Sequence, residues 1–507
     1  MQNSKLQNRL EIILAFFAVG VPFLFYIFIN RGSLFVICSE LGDLAANAIS
    51  IERAKEFQQL LGPYGRFGFN HPGPALFYLM AFGDFLMAWS RPSLFSSHAI
   101  TQLLFNLIII FFLFRLLQNQ LGKAAAFCLF PSILIAFHPL GGGILQFNWG
   151  PASLLIPMIA VIITAVTLCI GCKRYLALNI FSLCYVLQTH FGTAAILLPI
   201  EFLSIVLLIF HYRSKIGFFL LSLEVKLSAV ILSVINLPII IEVIQHWPND
   251  NISKTIHFFS NKTQQHTFQE ALNYVNQFYI GSLTPFLTKL PFSSLWLILL
   301  AVFLSLFGNK FQRTLSLILL LAYSLSIFAA TRVVGDLIDH IFMFEVSIAA
   351  CLYSLLFSYI FEFLSKLNFK DSATFLLFVF LLTTFTSIYL INKHYFFELI
   401  PLCSQQSEKL LSAIKLERDT LYKIEIKRAG KWDSATGIAL KLIRDGYQTC
   451  ITKRWGFMFG ESLVCDEVVK ELKHQKTTSL LLFSSRKYKG EIPKDSVTVD
   501  NTLMIIR

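Results

Sequence analysis

Charged side chains are scarce in this sequence. Asp, Glu, Lys and Arg make up only 14% of its 507 residues, whereas 55% of the residues are hydrophobic and 52 are Phe. With a mean hydropathy of +0.65, the composition excludes an ordinary soluble protein. Apolar runs of 17 or more residues recur through the first 390 positions. Each is long enough to cross roughly 30 Å of hydrocarbon as a helix, so the sequence predicts a polytopic helical membrane protein.

A glycine-rich phosphate loop and a paired-cysteine metal site are also missing from the C-terminal region. The nine cysteines are scattered, and Cys169-x-x-Cys172 has no second ligand pair, so it is only a weak zinc or redox signal. Cys450 and Cys465 share the C-terminal region. There they either pair in an oxidising compartment or stay as two free thiols.

The apolar runs predict an all-α membrane domain of about eleven transmembrane helices, without an internal repeat. One early run, 124–137, is short and contains Pro131, and it is the one that we expect not to cross. The first run lacks a cleavage site and is interpreted as a retained helix. The candidate spans are 11–30, 72–89, 99–117, 124–137, 151–171, 176–190, 192–211, 216–245, 292–308, 312–331, 341–361 and 373–391.

The formal net charge of +12 is explained by basic inside loops and the C-terminal region, so no nucleic-acid partner is predicted. The Lys/Arg bias of the short loops places 138–150, 246–291, 332–340 and everything after 392 on the outer side. The basic residues behind this orientation are Lys173, Arg174, Arg213, Lys215, Lys310, Arg313, Lys366 and Lys370.

Composition changes after position 392 and divides the chain. Residues 1–392 are the predicted membrane domain, with a first outer loop at 31–71 that carries an interfacial helix. Residues 393–417 are predicted as a charged helical linker, and residues 418–507 as a small extracytoplasmic α/β domain. Within that domain, alternating patterns predict strands at 420–428, 447–452, 480–483 and 498–505, and an amphipathic helix at 433–445.

Two carboxylates stand at the start of the first outer loop. A helix is predicted from Gly42, with Asp43 near its N-terminus and Glu40 just before it. Its polar face carries Glu52, Arg53, Lys55 and Glu56, and its apolar face carries Ile49, Ala54, Phe57, Leu60 and Leu61. A carboxylate at a lipid–water boundary can serve as a general base. The alternative, that Asp43 only caps the helix and complements its dipole, is equally compatible with the sequence.

The same loop ends at a turn rich in proline and glycine, from Phe69 to Pro74. This turn fixes His71 and Arg66 beside the membrane face, where arginine suits bidentate phosphate contact and histidine suits a weaker contact or proton transfer. The alternative is a helix-entry turn with snorkelling side chains. Further candidates in the other predicted outer loops are His138, Gln146, Asn148, Trp149, Gln188, His190, Arg332, Asp336, Asp339 and His340. We expect Arg332, Asp336 and His340 to stack on one helix face.

These residues resemble the glycosyltransferase C superfamily, polytopic enzymes that take sugars from polyprenyl-phosphate carriers. The residues that carry the resemblance to a bacterial branch are Gly42-Asp43-Leu44-Ala45, Gly62-Pro63-Tyr64-Gly65-Arg66-Phe67-Gly68-Phe69-Asn70-His71-Pro72-Gly73-Pro74, Phe147-Asn148-Trp149 and Gln188-Thr189-His190. The resemblance covers most of the membrane domain in layout, but only the first outer loop in residues.

The resemblance implies a catalytic base at Asp43. Many members carry adjacent Asp-Glu there, whereas here Glu40 lies three positions earlier, which leaves its catalytic role open. Some members bind a divalent metal through a later acidic motif. The loop 138–150 contains no Asp or Glu, so neither a metal nor another cofactor is predicted.

The resulting hypothesis is an inverting glycosyltransferase on the outer face of a bacterial inner membrane. It would use a polyprenyl-phosphate-linked sugar and an envelope glycan, lipid or protein as acceptor, surrounded by membrane lipids. Arg66, His71, Arg332 and His340 are the predicted phosphate-binding residues, and the substrate-pocket candidates are Tyr64, Asn70, Asn148, Trp149, Gln188 and His190. A transporter or flippase for an envelope lipid, with a polar path through broken helices, is the alternative. A non-catalytic scaffold is a third possibility.

Overall fold

The computed structural model describes most of the chain. The described residues are 19–32, 34–35, 39–65, 67–90, 93–122, 126–141, 143–260, 265–280, 293–366, 403–427, 431–466, 468, 476–485, 488, 492–500 and 502–507. Arg66, the predicted span 373–391 and the predicted boundary at 392 lie outside these residues. The structure is mostly helical with a small sheet near the C-terminus, as the sequence predicts.

The helices follow the apolar runs. By length and composition, five of those that the structure describes can span a membrane, namely Leu94–Leu121, Gly150–Cys169, Phe191–His211, Leu223–His246 and Lys310–Ala330. In chain order, the helices are α1 Val19–Gly32, α2 Gly42–Lys55, α3 Ala75–Met87, α4 Leu94–Leu121, α5 Leu129–Phe137, α6 Gly150–Ser153, α7 Leu155–Cys169, α8 Leu176–Thr189, α9 Ala194–His211, α10 Ile216–Leu220, α11 Leu223–His246, α12 Asn251–Ser260, α13 Phe268–Ile280, α14 Ser293–Ser305, α15 Lys310–Ala330, α16 Glu345–Lys366, α17 Gln406–Ser412, α18 Trp432–Arg444 and α19 Gly456–Phe459.

Two compact units make up the chain, and neither is continuous in sequence. Unit 1 comprises Met1–Leu34, Gln102–Leu237 and Ile256–Phe397. Unit 2 comprises Phe35–Thr101, Pro238–Thr255 and Glu398–Arg507. Most of the predicted first outer loop and the C-terminal sheet therefore belong to the same unit.

Unit 2 contains seven short strands among the described residues. They are β1 Ser39–Glu40, β2 Cys403–Ser404, β3 Thr420–Ile426, β4 Thr449–Ile451, β5 Lys476–Ser484, β6 Ser496–Val499 and β7 Thr502–Ile506. β1 and β2 pair antiparallel with each other, and the other five form one sheet in the order β4-β3-β5-β7-β6. β3 pairs parallel with β4 and β5, and α18 provides the crossover from β3 to β4.

The core of unit 2 includes α2 from the first outer loop. Ala45, Ala48 and Ile49 on this helix are buried together with Leu410 of α17 and Ile438 of α18. Small alanine side chains let α2 approach its neighbours closely, and the helix packs against α18 and α3. At the junction of α3 and α4, a Cβ atom on Gly83 would collide with Thr101, so glycine is required for this close approach.

Three local predictions differ from the structure. Residues 498–505 form a hairpin of β6 and β7 instead of one strand, because Asp500 turns the chain with a φ of 51°. Phe57, with a φ of 59°, lies beyond the end of α2 and is exposed instead of joining the apolar face. The helix that was expected to stack Arg332, Asp336 and His340 ends at Ala330, and Gly335 has a φ of 81°. That stacking prediction is wrong.

Cys450 and Cys465, whose pairing the sequence could not decide, form a disulfide. Cys450 on β4 and Cys465 are bonded, with their Cα atoms 4.8 Å apart. Both side chains are buried with Leu421 in a small apolar cluster beside the sheet. The bond therefore fixes the segment after β4 to the sheet of unit 2.

Candidate active site

Asp43 lies in the first turn of α2. This helix starts at Gly42, which has a φ of 56° and faces the Trp432 ring, where a Cβ atom would come within 3.3 Å. The N-cap residue is Leu41, whose side chain makes no cap hydrogen bond. Asp43 is therefore not the capping residue, although its charge is favourable near the helix N-terminus.

Tyr64 holds the Asp43 carboxylate from the other side of the loop. Its hydroxyl donates a hydrogen bond to Oδ1 of Asp43. Burial, followed by the charge of Asp43 and this hydrogen bond, raises the pKa of Tyr64, so the phenol stays protonated and remains a donor. The Tyr64 ring packs edge-on against Phe457 of α19, 5.7 Å between centroids. Asp43 itself remains partly exposed.

Glu40, the second predicted acid, has a different environment. Its side chain is 0% exposed. Nη1 of Arg444 on α18 donates to one of its carboxylate oxygens at 2.7 Å, and Nη2 donates to the other at 3.2 Å. These contacts give the Glu40 carboxylate a structural role in unit 2. Its catalytic role stays a prediction.

Glu40 is part of a closed ring of charged side chains in unit 2. Arg444 also donates through Nε to Glu52 at 2.9 Å. Lys55 contacts Glu52 at 2.8 Å and Asp84 at 2.8 Å. We call this set the charge ring; its members in order are Glu40, Arg444, Glu52, Lys55, Asp84 and His98.

His98 closes the charge ring. Its Nε2 lies 3.2 Å from Asp84, and its Nδ1 lies 3.8 Å from Glu40. Ser97 donates a further hydrogen bond to Asp84 at 2.6 Å. Cations and acids alternate around the ring, so each charge has opposite neighbours once His98 is protonated. The ring joins β1, α2, α3, α4 and α18.

The pKa values of Glu52, Lys55 and Arg444 reflect this pairing within the charge ring. Burial alone would raise the pKa of Glu52, but the hydrogen bond from Lys55 and the charge of Arg444 outweigh burial and lower it. Burial alone would lower the pKa of Lys55 and of Arg444, but their carboxylate partners raise both. All three groups therefore favour their charged forms in the folded unit.

The loop that carries the other first-loop candidates is closed by backbone contacts. Gly62 N–H donates to His71 O at 3.0 Å, and His71 N–H donates to Pro63 O at 2.9 Å. Asn70 exchanges hydrogen bonds with Asn251, at 2.8 Å through its N–H and 2.9 Å through its carbonyl. These contacts hold His71 and Asn70 in the same loop as Tyr64.

In unit 1, three predicted residues from separate loops come together. The rings of Trp149 and His340 lie 5.8 Å apart. Nε2 of His190 is 3.0 Å from Ile341 O, beside His340. The rings of His190 and Phe344 lie 6.1 Å apart. An aromatic and histidine cluster is therefore built from Trp149, His190 and His340.

Two of the remaining predicted residues of unit 1, Arg332 and Gln188, make contacts elsewhere in the unit. The Arg332 guanidinium is exposed and stacks on Phe328, 4.6 Å from the ring centroid. Gln188 donates to Asn236 at 3.1 Å and to Ile235 O at 2.9 Å, and so fastens α8 to α11. Asn148 is buried next to Trp149 in sequence.

Sequence reasoning missed Arg444, Asp84 and His98. Asp84 lies inside the predicted span 72–89, where an ionisable residue is a signal by itself and could have been singled out. Arg444 gives no such signal, because it is one basic residue at the end of an amphipathic helix. Across the described ranges, no group of three or more His, Cys, Asp or Glu side chains is placed to hold a metal ion.

Known structures are similar to this chain over nearly its whole length. ArnT from Cupriavidus metallidurans in the apo state matches with a TM-score of 0.55 and 12% identity, covering 95% of this chain and 97% of that chain. ArnT from the same organism bound to undecaprenyl phosphate matches with a TM-score of 0.56 and 13% identity, over the same 95% and 97%. No family model matches the sequence, and no curated protein sequence matches it. The chain has the fold of ArnT, which confirms the glycosyltransferase C-like fold.

Proposed function

We propose that this chain is a glycosyltransferase of the bacterial inner membrane, which transfers one sugar from a polyprenyl-phosphate donor to a cell-envelope acceptor. Its fold is that of ArnT, one structure of which is bound to undecaprenyl phosphate. The observation that carries the proposal is the contrast between the two first-loop acids. Asp43 is partly exposed and held by Tyr64, whereas Glu40 is enclosed by Arg444.

Asp43 is the proposed general base. Its carboxylate takes the proton of an acceptor hydroxyl while the hydroxyl oxygen attacks the anomeric carbon of the donor sugar. The bond from that carbon to the phosphate oxygen breaks, and its electron pair leaves with the polyprenyl phosphate. One displacement of this kind inverts the anomeric centre. A positioned base contributes about 10²–10⁴-fold to such a reaction.

The leaving phosphate needs cations more than it needs an acid. His71 lies in the same closed loop as Tyr64 and is assigned to this role. Arg66, which belongs to the same loop in the sequence, is assigned to the same phosphate-binding role. Arg332 and His340 of unit 1 remain sequence-based candidates, as do Asn70, Asn148, Trp149, Gln188 and His190 for the sugar pocket.

The reaction is proposed for the outer face of the membrane. The Cys450–Cys465 bond supports this placement, since disulfides persist in oxidising compartments and are rare in the cytosol. Because the sheet of unit 2 and α2 share one core, the same placement applies to Asp43.

Mass spectrometry of envelope glycans and glycolipids tests the proposal. A strain that lacks the protein should lose one sugar, and the wild-type gene should restore it. Asp43→Asn should accumulate to normal membrane levels without restoring the sugar. Asp445→Asn, an acid that pairs with Lys441 at 3.0 Å, is the matched control and should restore it.

Two results contradict this function. Full restoration by Asp43→Asn would show that Asp43 is not the base. An unchanged set of glycans, together with an accumulated lipid-linked precursor, would support transport of that precursor instead.

A further inference from the structure

Arg53 is a cation on α2 that has no counterion among the residues that the structure describes. It lies near the end of the helix and is partly buried. Its Nε atom is shielded from solvent and has no hydrogen-bond partner. Within the described ranges no carboxylate lies within ion-pair distance of its guanidinium. An unpaired charge in such a place is costly, because solvation is lost without compensation.

Two neighbouring cations of the same unit, in contrast, are each paired with two carboxylates. Lys55, two positions along the same helix, contacts both Glu52 and Asp84. Arg444 contacts both Glu40 and Glu52. Both are satisfied within the charge ring, whereas burial without a carboxylate lowers the pKa of Arg53. Arg53 therefore stands out as a guanidinium whose partner is not supplied by the described chain.

Gly460 leaves space for the guanidinium of Arg53. Nη1 lies directly against Gly460, where a Cβ atom would collide with it, and Gly460 has a φ of 91°. Tyr78 on α3 interacts electrostatically with Arg53, and its hydroxyl donates to Gln59 O at 3.1 Å. Glycine at position 460 thus leaves room for the guanidinium beside the end of α19.

The site of the Arg53 guanidinium is linked to Asp43 by a short chain of contacts. Gly460 directly follows α19, and Phe457 of that helix packs on Tyr64, the hydrogen-bond donor to Asp43. Through Phe457 and Tyr64, the segment that ends at Gly460 connects the Arg53 guanidinium to the proposed base.

We propose that Arg53 binds a phosphate oxyanion of the substrate. A guanidinium offers two parallel N–H donors to such a group, and the anion supplies the charge that the described residues do not. This inference rests on the proposed function and adds a binding residue to it. The phosphate belongs either to the polyprenyl carrier or to a water-soluble phosphorylated group.

Ligand-dependent thermal unfolding of the full-length protein in phosphatidylcholine nanodiscs tests the inference. Undecaprenyl phosphate, neutral undecaprenol and inorganic phosphate are the three probes. The wild type should be stabilised by undecaprenyl phosphate and not by undecaprenol. Arg53→Met should weaken the apparent affinity by about tenfold or more. Lys453→Met removes an exposed cation just before α19, and it should bind as the wild type does.

The unfolding temperature without ligand separates binding from folding. Arg53→Met removes an uncompensated charge, so its unliganded unfolding temperature should equal or exceed that of the wild type. A response to inorganic phosphate that Arg53→Met abolishes would support an oxyanion site, and would assign it to a soluble group if undecaprenyl phosphate gave no response.

Unchanged binding of both phosphate probes by Arg53→Met would overturn the Arg53 site and leave the proposed function standing. A wild type that responds to no probe would also overturn the site. The glycan profile of the deletion strain then decides the proposed function separately.

Discussion

Breaking the charge ring at Arg444 should strongly destabilise unit 2. In Arg444→Met, the fully buried Glu40 loses the two hydrogen bonds of 2.7 and 3.2 Å that satisfy its carboxylate, and Glu52 keeps Lys55 alone. Removing one member of a buried ion pair costs about 3–5 kcal/mol. For a unit of 150–250 residues, about 2–4 °C is lost per kcal/mol, so the unfolding temperature should fall by roughly 6–20 °C.

Thermal unfolding of the full-length protein in nanodiscs measures this effect. The control is Lys476→Met, which breaks an exposed 2.8 Å pair with Glu417 and should leave the unfolding temperature unchanged. The double variant Glu40→Leu with Arg444→Met removes both buried charges. It should recover much of the loss, because the cost lies mainly in the orphaned carboxylate.

Two results would refute this reasoning. An unfolding temperature of Arg444→Met no lower than that of Lys476→Met would mean that the ring adds nothing to unit 2. A double variant less stable than Arg444→Met alone would show that the orphaned Glu40 carboxylate is not the main source of the loss.

Two further predictions concern the same unit. Replacing Cys450 and Cys465 by Ser removes a cross-link between residues 15 apart, which should lower the free energy of unfolding by about 3 kcal/mol. A reductant should lower the unfolding temperature of the wild type, but not that of this double variant. Because the folded pKa of Glu52 is lowered, its ionic contribution is complete above its unfolded pKa of about 4.3 and is lost as the pH falls through the folded value. The difference in unfolding temperature between the wild type and Glu52→Gln should therefore shrink below about pH 4, and an unchanged difference would contradict the lowered pKa.

Local sequence patterns predicted much of the secondary structure. The start of α2 at Gly42 and the order of β3, α18 and β4 follow from hydrophobic periodicity and from turn residues. Such patterns depend on neighbours a few positions apart, so they are readable from one sequence. The position of Asp43 in the first turn of a helix could be predicted for the same reason.

Contacts between distant segments could not be predicted in this way. Glu40 and Arg444 are 404 positions apart, and nothing in the local pattern of either residue specifies the other. The expected stacking of Arg332 and His340 failed for a related reason. The i,i+4 rule holds only inside a helix, and α15 ends before them at Ala330. The cluster of Trp149, His190 and His340 likewise depends on tertiary packing.

The pairing of β1 with β2 has a consequence for how the protein is made. Ser39 pairs with Ser404 and Glu40 pairs with Cys403, so one segment completes its ladder with another that is synthesised much later. The alanine face of α2 is likewise covered only after α17 and α18 have been synthesised. On the ribosome, the helix that carries Asp43 is therefore left uncovered until these later segments are made. A chain cut short before α17 would expose that face permanently to proteases and chaperones.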